Sequence, residues 1–304
     1  MVVFCNYMEI QNQFTNEDGI WKYESIEIEG FLFQLAKNNG LGPNLLCIGS
    51  ALYYPRVLPP IFTSHFNIVC IDHRGFAKRI KNGAENKSEY EITKIISDTE
   101  SIRKILAWDK FLLFGHSGHG YMAMHYAATF PQFITELLIV ATGPSHGIHL
   151  LEKDRFFEEN ATKERKEKHL RSQKEFLSKL EFDPANFFPL YCQSQDALGL
   201  FDLEKDSLPF WKGISTNKLA FDYLFGSVFA EIQVEELLGK IPCKTRIALG
   251  KYDFLIAPFY TWDPILKNFP RIDWKVFTNS SHLPFFEEPK EFRDWLIKKP
   301  EGSD

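Results

Sequence analysis

The sequence predicts an α/β fold, with a mostly parallel, doubly wound sheet and helices on both of its faces. Apolar runs with the length of buried strands lie near positions 45, 67, 110, 136, 245 and 273, and helical patterns separate them. Strands of a parallel sheet are covered on both sides, so they read as continuous apolar runs. At 304 residues, the chain is long enough for one such domain with an insertion.

Two further elements are expected in the first third of the chain. An antiparallel pair is predicted over residues 23–28 and 31–36, with its turn at Glu29-Gly30. An amphipathic helix is predicted before the apolar run near position 110. Asp98 falls on that helix, and we expect its side chain to face solvent.

Two apolar runs end in turns that are expected to lie near a functional site. Residues 44–48 lead into Gly49-Ser50-Ala51-Leu52, and residues 67–71 lead into Asp72-His73-Arg74-Gly75. Ligands of doubly wound sheets bind beyond the carboxyl ends of the strands, where both turns would fall. For Asp72 and Arg74 we expect a structural ion pair that supports this loop geometry.

The hexapeptide Gly115-His116-Ser117-Gly118-His119-Gly120 is the most informative stretch of the sequence. It follows the apolar residues 111–114 and precedes a predicted helix over residues 121–130. A serine pinched between glycines at such a turn is held in strained backbone angles that lift its hydroxyl clear of both elements. The helix N-terminus beneath it favours negative charge. The pattern therefore predicts Ser117 to be a nucleophile.

A serine hydroxyl is a poor nucleophile at neutral pH, so an imidazole must take its proton and a buried carboxylate must orient that imidazole. Residues 246–250 form an apolar run that leads into Lys251-Tyr252-Asp253. Residues 274–277 alternate in the manner of a strand and lead towards His282. Asp253 is the candidate acid and His282 the candidate base, whereas Asp263 falls within a predicted helix.

These motifs resemble the α/β-hydrolase family, whose elbow reads Gly-x-Ser-x-Gly and whose triad runs serine, acid, histidine along the chain. The sequence departs from the family pattern at His119, where a small residue is usual, and at Ile48, where histidine is usual. The resemblance implies a hydrolase fold and an oxyanion hole formed by backbone N–H groups. One N–H would come from Gly118 and the other from Ser50, with Ala51 as the fallback.

The alternation of strand and helix patterns stops over residues 143–240, where a charge-dense helical stretch is followed by many aromatic residues. The resemblance implies that this stretch is a helical cap, inserted into a hydrolase core of residues 1–142 and 241–304. An aromatic-rich cap indicates a pocket for an apolar or aromatic group. The residues predicted to line that pocket are Ala51, His146, Phe210, Trp211 and Phe225.

Composition limits the classes of partner and setting. The formal net charge of -5 gives no reason to expect nucleic acid or an anionic membrane as partner. The 5 cysteines are scattered, and neither an export signal nor a membrane span is apparent, so we expect a cytoplasmic protein with reduced thiols. No metal-binding spacing is present, and we expect no metal and no cofactor. The sequence leaves the oligomeric state open, a homo-oligomer included.

The function indicated by these residues is a serine hydrolase that cleaves a small ester or amide through an acyl-enzyme. Its partner would be a small molecule with an acyl or aminoacyl group. A proline iminopeptidase-like aminopeptidase and a hydrolase of carbon–carbon bonds remain open on the same scaffold. A ligand-binding protein that keeps the fold without turnover also remains open, because a fold does not determine a function.

Overall fold

The computed structural model describes residues 9–15 and 19–298 of the chain. Its strands are β1 (Glu9–Thr15), β2 (Lys22–Ile28), β3 (Phe31–Lys37), β4 (Asn44–Gly49), β5 (Asn67–Asp72), β6 (Lys78–Arg79), β7 (Phe111–His116), β8 (Ile134–Val140), β9 (Lys244–Gly250) and β10 (Asp273–Phe277). They form a sheet in the order β1-β2-β3-β5-β4-β7-β8-β9-β10, with β6 paired to β3. Neighbours from β5 to β10 are parallel, whereas β1, β2 and β3 are antiparallel. The predicted mostly parallel sheet is confirmed.

Helices cover both faces of this sheet. They are α1 (Tyr54–Val57), α2 (Pro60–Thr63), α3 (Ile92–Ile105), α4 (Gly118–Thr129), α5 (Leu150–Asn160), α6 (Lys163–Phe182), α7 (Phe187–Ser194), α8 (Asp196–Gly199), α9 (Leu208–Trp211), α10 (Lys218–Tyr223), α11 (Val234–Lys240), α12 (Asp263–Asn268), α13 (Pro284–Glu287) and α14 (Pro289–Ile297). Helices α3, α4, α11 and α12 pack with one set of strand residues, such as Leu46 and Leu113. Helices α1, α2, α13 and α14 pack with the alternate set, such as Leu45 and Phe114. This alternation is the two-residue period of a strand buried on both faces.

The predicted antiparallel pair is present as β2 and β3. Ile28 pairs with Phe31, so the connection is a two-residue turn. Both turn residues have positive φ, 49° at Glu29 and 78° at Gly30. Such a turn matches the right-handed twist of the two strands.

Asp98 does not face solvent, and the expectation from the sequence was wrong. Its side chain on α3 is buried and accepts a hydrogen bond from Arg74 Nη2 over 2.8 Å. Arg74 follows β5 and also donates to Glu29 Oε2 over 2.7 Å, so its acidic partners are Asp98 and Glu29 rather than Asp72. The periodicity of apolar residues along α3 cannot reveal the pair of Asp98 and Arg74, because Arg74 belongs to a different element.

The helices between β8 and β9 form the inserted region. Helices α5 to α10 extend beyond the carboxyl ends of the strands, and α6 is the longest of them. Thr162 begins α6 by accepting the N–H of Arg165. Helix α11 packs against α4 in the core, although it falls within the 143–240 stretch expected to be the cap. Across the residues described, no helix combines the length and the apolar character needed to cross a membrane.

Candidate active site

Ser117 occupies a strained turn between β7 and α4. Its φ of 57° and ψ of −134° are rarely adopted by residues other than glycine. The Ser117 N–H donates to the carbonyl oxygen of Val140 over 2.9 Å, and Thr142 Oγ1 donates to the Ser117 carbonyl oxygen over 2.8 Å. A Cβ on Gly120 would lie 2.0 Å from Thr142 Oγ1, so this glycine lets the helix approach the strand end closely.

The structure brings Asp253 and His282 together at the ends of two neighbouring strands. Asp253 follows β9 and His282 follows β10, and His282 Nδ1 lies 2.7 Å from Asp253 Oδ2. Both side chains are buried. The other carboxylate oxygen of Asp253 accepts the N–H of Leu255 over 3.0 Å. A proton on Nδ1 of His282 is therefore held by the carboxylate, which leaves Nε2 with the basic lone pair.

Helix α8 of the inserted region is bonded directly to the loops that carry the acid and the histidine. The His282 N–H donates to the carbonyl oxygen of Gly199 over 3.0 Å. The carbonyl oxygen of Leu198 accepts from Ser281 Oγ over 2.9 Å and from the N–H of Phe254 over 3.1 Å. These bonds couple the position of His282 to the inserted helices.

Arg165 on α6 in turn fixes α8. Its buried guanidinium donates to the carbonyl oxygens of Ala197 at 2.7 Å, Leu200 at 2.6 Å and Phe201 at 2.6 Å. These carbonyls lie at the end of α8 and just after it, where a helix leaves its acceptors unpaired. The long helix of the inserted region thus supports the histidine loop through one side chain.

Ser117, Gly118 and His282 open onto one cavity of about 180 Å³. The cavity lies between the carboxyl ends of the strands and the inserted helices, and its lining is predominantly apolar and aromatic. The aromatic and aliphatic side chains that line it include Phe76, Phe188, Trp211, Phe221, Leu224 and Phe225. A cavity of this size and character accommodates a small apolar group next to the serine.

Two of the five predicted pocket residues, Trp211 and Phe225, line this cavity. The other three lie elsewhere. Ala51 belongs to the loop after β4 and is fully buried there. His146 does not line the cavity, and its ring lies 5.7 Å from that of Phe225. Phe210 also lies outside the lining, and its ring packs against that of Phe286 at 5.2 Å.

The predicted oxyanion donors are placed differently from one another. Gly118 lines the cavity and is the first residue of α4, so its N–H has no acceptor within the helix. Ser50 is buried, is absent from the cavity lining, and uses its Oγ to accept the N–H groups of Leu52 and Tyr53. The N–H of Ala51 donates to Asp72 Oδ1 over 2.8 Å, so it is not free to bind a substrate oxygen.

The side chain of His119 lines the cavity. Its Nδ1 lies 2.8 Å from Tyr54 Oη, and its ring lies over Gly49. A Cβ on Gly49 would be 2.4 Å from the Tyr54 ring and 2.7 Å from His119 Nδ1. The large side chain two residues after Ser117 is therefore accommodated by a glycine at the end of β4.

Two buried titratable groups, Asp72 and His73, lie at the end of β5, and the His73 ring is 5.2 Å from that of His119. Burial raises the pKa of Asp72 to about 7, although the N–H groups of Ala51 and Gln34 donate to its carboxylate and oppose that rise. Burial lowers the pKa of His73 to about 3. His73 Nδ1 accepts the N–H of Gly75 over 3.0 Å, so Nε2 carries the proton of this neutral imidazole.

The imidazoles around the cavity do not form a metal centre. His73, His116, His119 and His282 each use one ring nitrogen in a hydrogen bond to the protein. Over residues 9–15 and 19–298, no group of three or more histidine, cysteine, aspartate or glutamate side chains is arranged to hold a metal ion. The arrangement instead supplies a hydroxyl, a carboxylate-bound imidazole and a helix N-terminus in one apolar cavity.

The sequence did not identify Tyr54, His73 or Asp196 as residues of the cavity wall. Tyr54 begins α1 shortly after β4, and His73 directly follows β5, so their position near the carboxyl ends of the strands was a usable signal. Asp196 lies in the inserted helices, and sequence alone does not distinguish it from the surface acids around it.

Comparison with known proteins places this architecture in a family. Residues 40–289 match the family model described as alpha/beta hydrolase fold. The AB hydrolase superfamily protein YclE of Bacillus subtilis (strain 168) is 32% identical over 270 residues, which are 87% of this chain and 95% of that protein. A proline iminopeptidase of Saccharolobus solfataricus is 25% identical over 278 residues, which are 88% of this chain and 87% of the relative.

Among solved structures, an alpha/beta fold family hydrolase from Bacillus anthracis superposes with a TM-score of 0.66. The sequence identity is 21%, and the match covers 91% of this chain and 98% of that one. At this sequence identity the similarity shows the fold and not the activity.

Proposed function

The chain belongs to the alpha/beta hydrolase fold family, and we propose that it is a serine hydrolase that cleaves a small ester or amide through an acyl-enzyme. In this proposal Ser117 is the nucleophile, His282 the general base and acid, and Asp253 the residue that orients the imidazole. The N–H of Gly118 donates to the developing oxyanion.

The observation that carries the proposal is the 2.7 Å contact between His282 Nδ1 and Asp253 Oδ2, in a structure where His282 and Ser117 line one cavity. The contact fixes the tautomer in which Nε2 can accept the serine proton. The positive φ of Ser117 adds a second support, because backbone strain concentrates at functional sites.

The proposed reaction has two steps. Ser117 Oγ bonds to the carbonyl carbon of the substrate while its proton passes to His282 Nε2, and the leaving alcohol or amine takes that proton as the C–O or C–N bond breaks. Water then attacks the acyl carbon and gives a proton to His282 Nε2, and His282 returns that proton to Ser117 Oγ as the acyl C–O bond breaks and the acid is released. Protons and bonds balance within this residue set.

Labelling with a fluorophosphonate probe tests the nucleophile. We expect stoichiometric labelling of the wild-type protein at Ser117, no labelling of Ser117→Ala, and strong loss of labelling in His282→Gln. Ser88→Ala is a matched control, because Ser88 is exposed in a short 3-10 helix and does not line the cavity. A folded wild-type protein that the probe does not label would contradict the proposal and favour the ligand-binding alternative.

Aminopeptidase activity is the second candidate, and Asp196 is the observation that favours it. This carboxylate is buried in the wall of the cavity, where burial raises its pKa to about 6. Its Oδ2 accepts the N–H of Ser207 over 3.0 Å. An ammonium group beside it would favour the ionised carboxylate, as an opposite charge does. The relative from Saccharolobus solfataricus, a proline iminopeptidase, is consistent with such a substrate.

Kinetics of Asp196→Asn separate the two substrate classes. If the substrate carries an amine, we expect KM for aminoacyl arylamides, prolyl ones included, to rise at least tenfold in the variant. KM for neutral acyl esters should stay within about threefold. Equal effects on both substrate classes would exclude a role for Asp196 in amine recognition.

A further inference from the structure

Neither of the residues expected to supply a second backbone donor to the oxyanion, Ser50 and Ala51, lines the cavity. The N–H of Ala51 is committed to Asp72, and Ser50 does not reach the cavity lining. Gly118 alone remains of the donors expected from the sequence. An oxyanion is normally bound by two or more donors aimed at one point, so a polar side chain that lines the cavity is a candidate for the second one.

His119 is a cavity residue whose side chain packs against Gly49, just before Ser50 and Ala51. It follows Gly118 directly in the first turn of α4, and both residues line the cavity with Ser117. Its ring rests over Gly49, at the end of β4, where the loop backbone would otherwise face the substrate. The side chain therefore connects the first turn of α4 with the end of β4.

The contact with Tyr54 sets which nitrogen of His119 can donate. Tyr54 is completely buried, and its Oη lies 2.8 Å from His119 Nδ1. A phenol is a stronger donor than acceptor, and an unprotonated imidazole nitrogen is a strong acceptor, so the hydrogen-bond network assigns Tyr54 as donor to Nδ1. The ring proton then resides on Nε2.

His119 also remains neutral, which preserves this assignment. Its pKa is held well below the usual range by burial first, and then by the neighbouring imidazoles of His73, His116 and His282. The His73 ring is 5.2 Å away, and its own tautomer is fixed by the N–H of Gly75. A neutral imidazole with Nδ1 occupied has a single N–H to offer.

We propose that His119, oriented by Tyr54, is the second oxyanion donor and that its Nε2–H takes the place of the backbone N–H of the loop after β4. The inference rests on the proposed serine hydrolase mechanism. In it Nε2–H donates to the substrate carbonyl oxygen as that oxygen becomes negative, while Gly118 donates from the helix N-terminus. His119 is then a catalytic residue, and Tyr54 is a positioning residue that acts through it.

Steady-state kinetics of four variants test this role, on an ester that the wild-type protein hydrolyses in a Ser117-dependent manner. We expect His119→Ala to lower kcat by about 10²- to 10³-fold with KM changed by less than about threefold, as for other oxyanion donors. His119→Gln, whose amide N–H can replace Nε2–H, should recover at least tenfold of that loss. Tyr54→Phe should lower kcat about tenfold, and His125→Ala, further along the same helix and away from the cavity, should behave as wild type.

A trifluoromethyl ketone inhibitor distinguishes donation from packing, because its adduct with Ser117 carries an oxyanion. Its affinity should fall in His119→Ala and Tyr54→Phe in proportion to kcat/KM, whereas a merely structural role would alter thermal stability without that proportionality. A kcat within about threefold of wild type for His119→Ala, with Ser117-dependent turnover intact, would overturn the inference alone. Absence of Ser117-dependent turnover in the wild-type protein would instead contradict the proposed function, and the inference with it.

Discussion

His116 Nε2 lies 2.8 Å from the backbone carbonyl oxygen of His282, so the residue before the nucleophile holds the loop of the proposed base. The two rings are 4.7 Å apart, and His116, the last residue of β7, is buried against the histidine loop. Burial and the nearby His282 imidazole lower the pKa of His116 well below its ordinary value, so a neutral ring donates from Nε2. The elbow and the histidine loop are thereby fixed to each other.

Replacing His116 by phenylalanine tests this link. The variant keeps an aromatic ring but leaves the buried carbonyl oxygen of His282 without its donor, which costs about 1–3 kcal/mol. We expect the free energy of unfolding, measured in urea, to fall by that amount. We also expect kcat to fall by a larger factor than the factor by which KM changes. His116→Gln, which retains a donor, should lose less of both, and identical behaviour of the two variants would show that the hydrogen bond is unimportant.

Asp253→Asn should reduce kcat by about 10⁴-fold, because the amide allows the wrong tautomer of His282. Asp263→Asn is the matched control, since Asp263 is exposed at the start of α12. We expect its kcat to remain near that of the wild-type protein in the same ester assay. A near-normal rate for Asp253→Asn would mean that another carboxylate orients the imidazole.

His73 should make the protein sensitive to acid. Burial lowers its folded-state pKa to about 3, whereas an unfolded histidine titrates near about 6.5. Below about pH 6.5 the unfolded state binds a proton that the folded state does not, so this stabilisation is complete above that pH and is lost as the pH falls towards 3. Between pH 7 and pH 5 the wild-type protein should lose about 2 kcal/mol more stability than His73→Gln.

Urea unfolding of both proteins at pH 7 and pH 5 measures this difference. Glutamine retains an acceptor for the N–H of Gly75, so the comparison isolates the titration of the ring. His116 and His119 are present in both proteins, and their own contribution cancels. Parallel pH dependence of the two proteins would show that His73 is not buried in the neutral form.

Arg165→Met should loosen the histidine loop from a distance. The change leaves the carbonyl oxygens of Ala197, Leu200 and Phe201 without their charged donor, which we expect to cost about 2–3 kcal/mol of stability. Because Gly199 holds the His282 N–H, kcat should fall about tenfold as well. Arg171→Met on the exposed side of the same helix should change neither quantity, and an unaltered kcat in Arg165→Met would show that the two loops are uncoupled.

The sequence was sufficient where one local pattern decides the outcome. The turn at Glu29-Gly30 and the parallel strands were predicted because strand length, apolar runs and turn chemistry are local properties. The elbow serine and the order of acid and histidine were proposed for the same reason. The structure supplies the geometry of that pair, with 2.7 Å between Asp253 and His282.

Features that depend on two distant segments could not be predicted in this way. Asp98 was expected in solvent because its cation, Arg74, belongs to another element. Ser50 was proposed as a donor from its place after β4, but whether its backbone reaches the cavity depends on Tyr54 and His119, which pack over Gly49. Sequence reasoning identified His119 as a departure, yet the space it fills is set by Gly49 on the neighbouring strand β4, which is distant in sequence.

The bonds from α8 to the histidine loop have a consequence for how this scaffold can change its specificity. A cap that only covers a site can be exchanged as a module, but here the carbonyl oxygens of Leu198 and Gly199 are part of what holds His282 in place. A chimera that replaces the whole insertion would remove those acceptors together with the substrate wall. New specificities are therefore expected to arise by substitution around α9 and α10, with the α8 segment retained, rather than by wholesale exchange of the insertion.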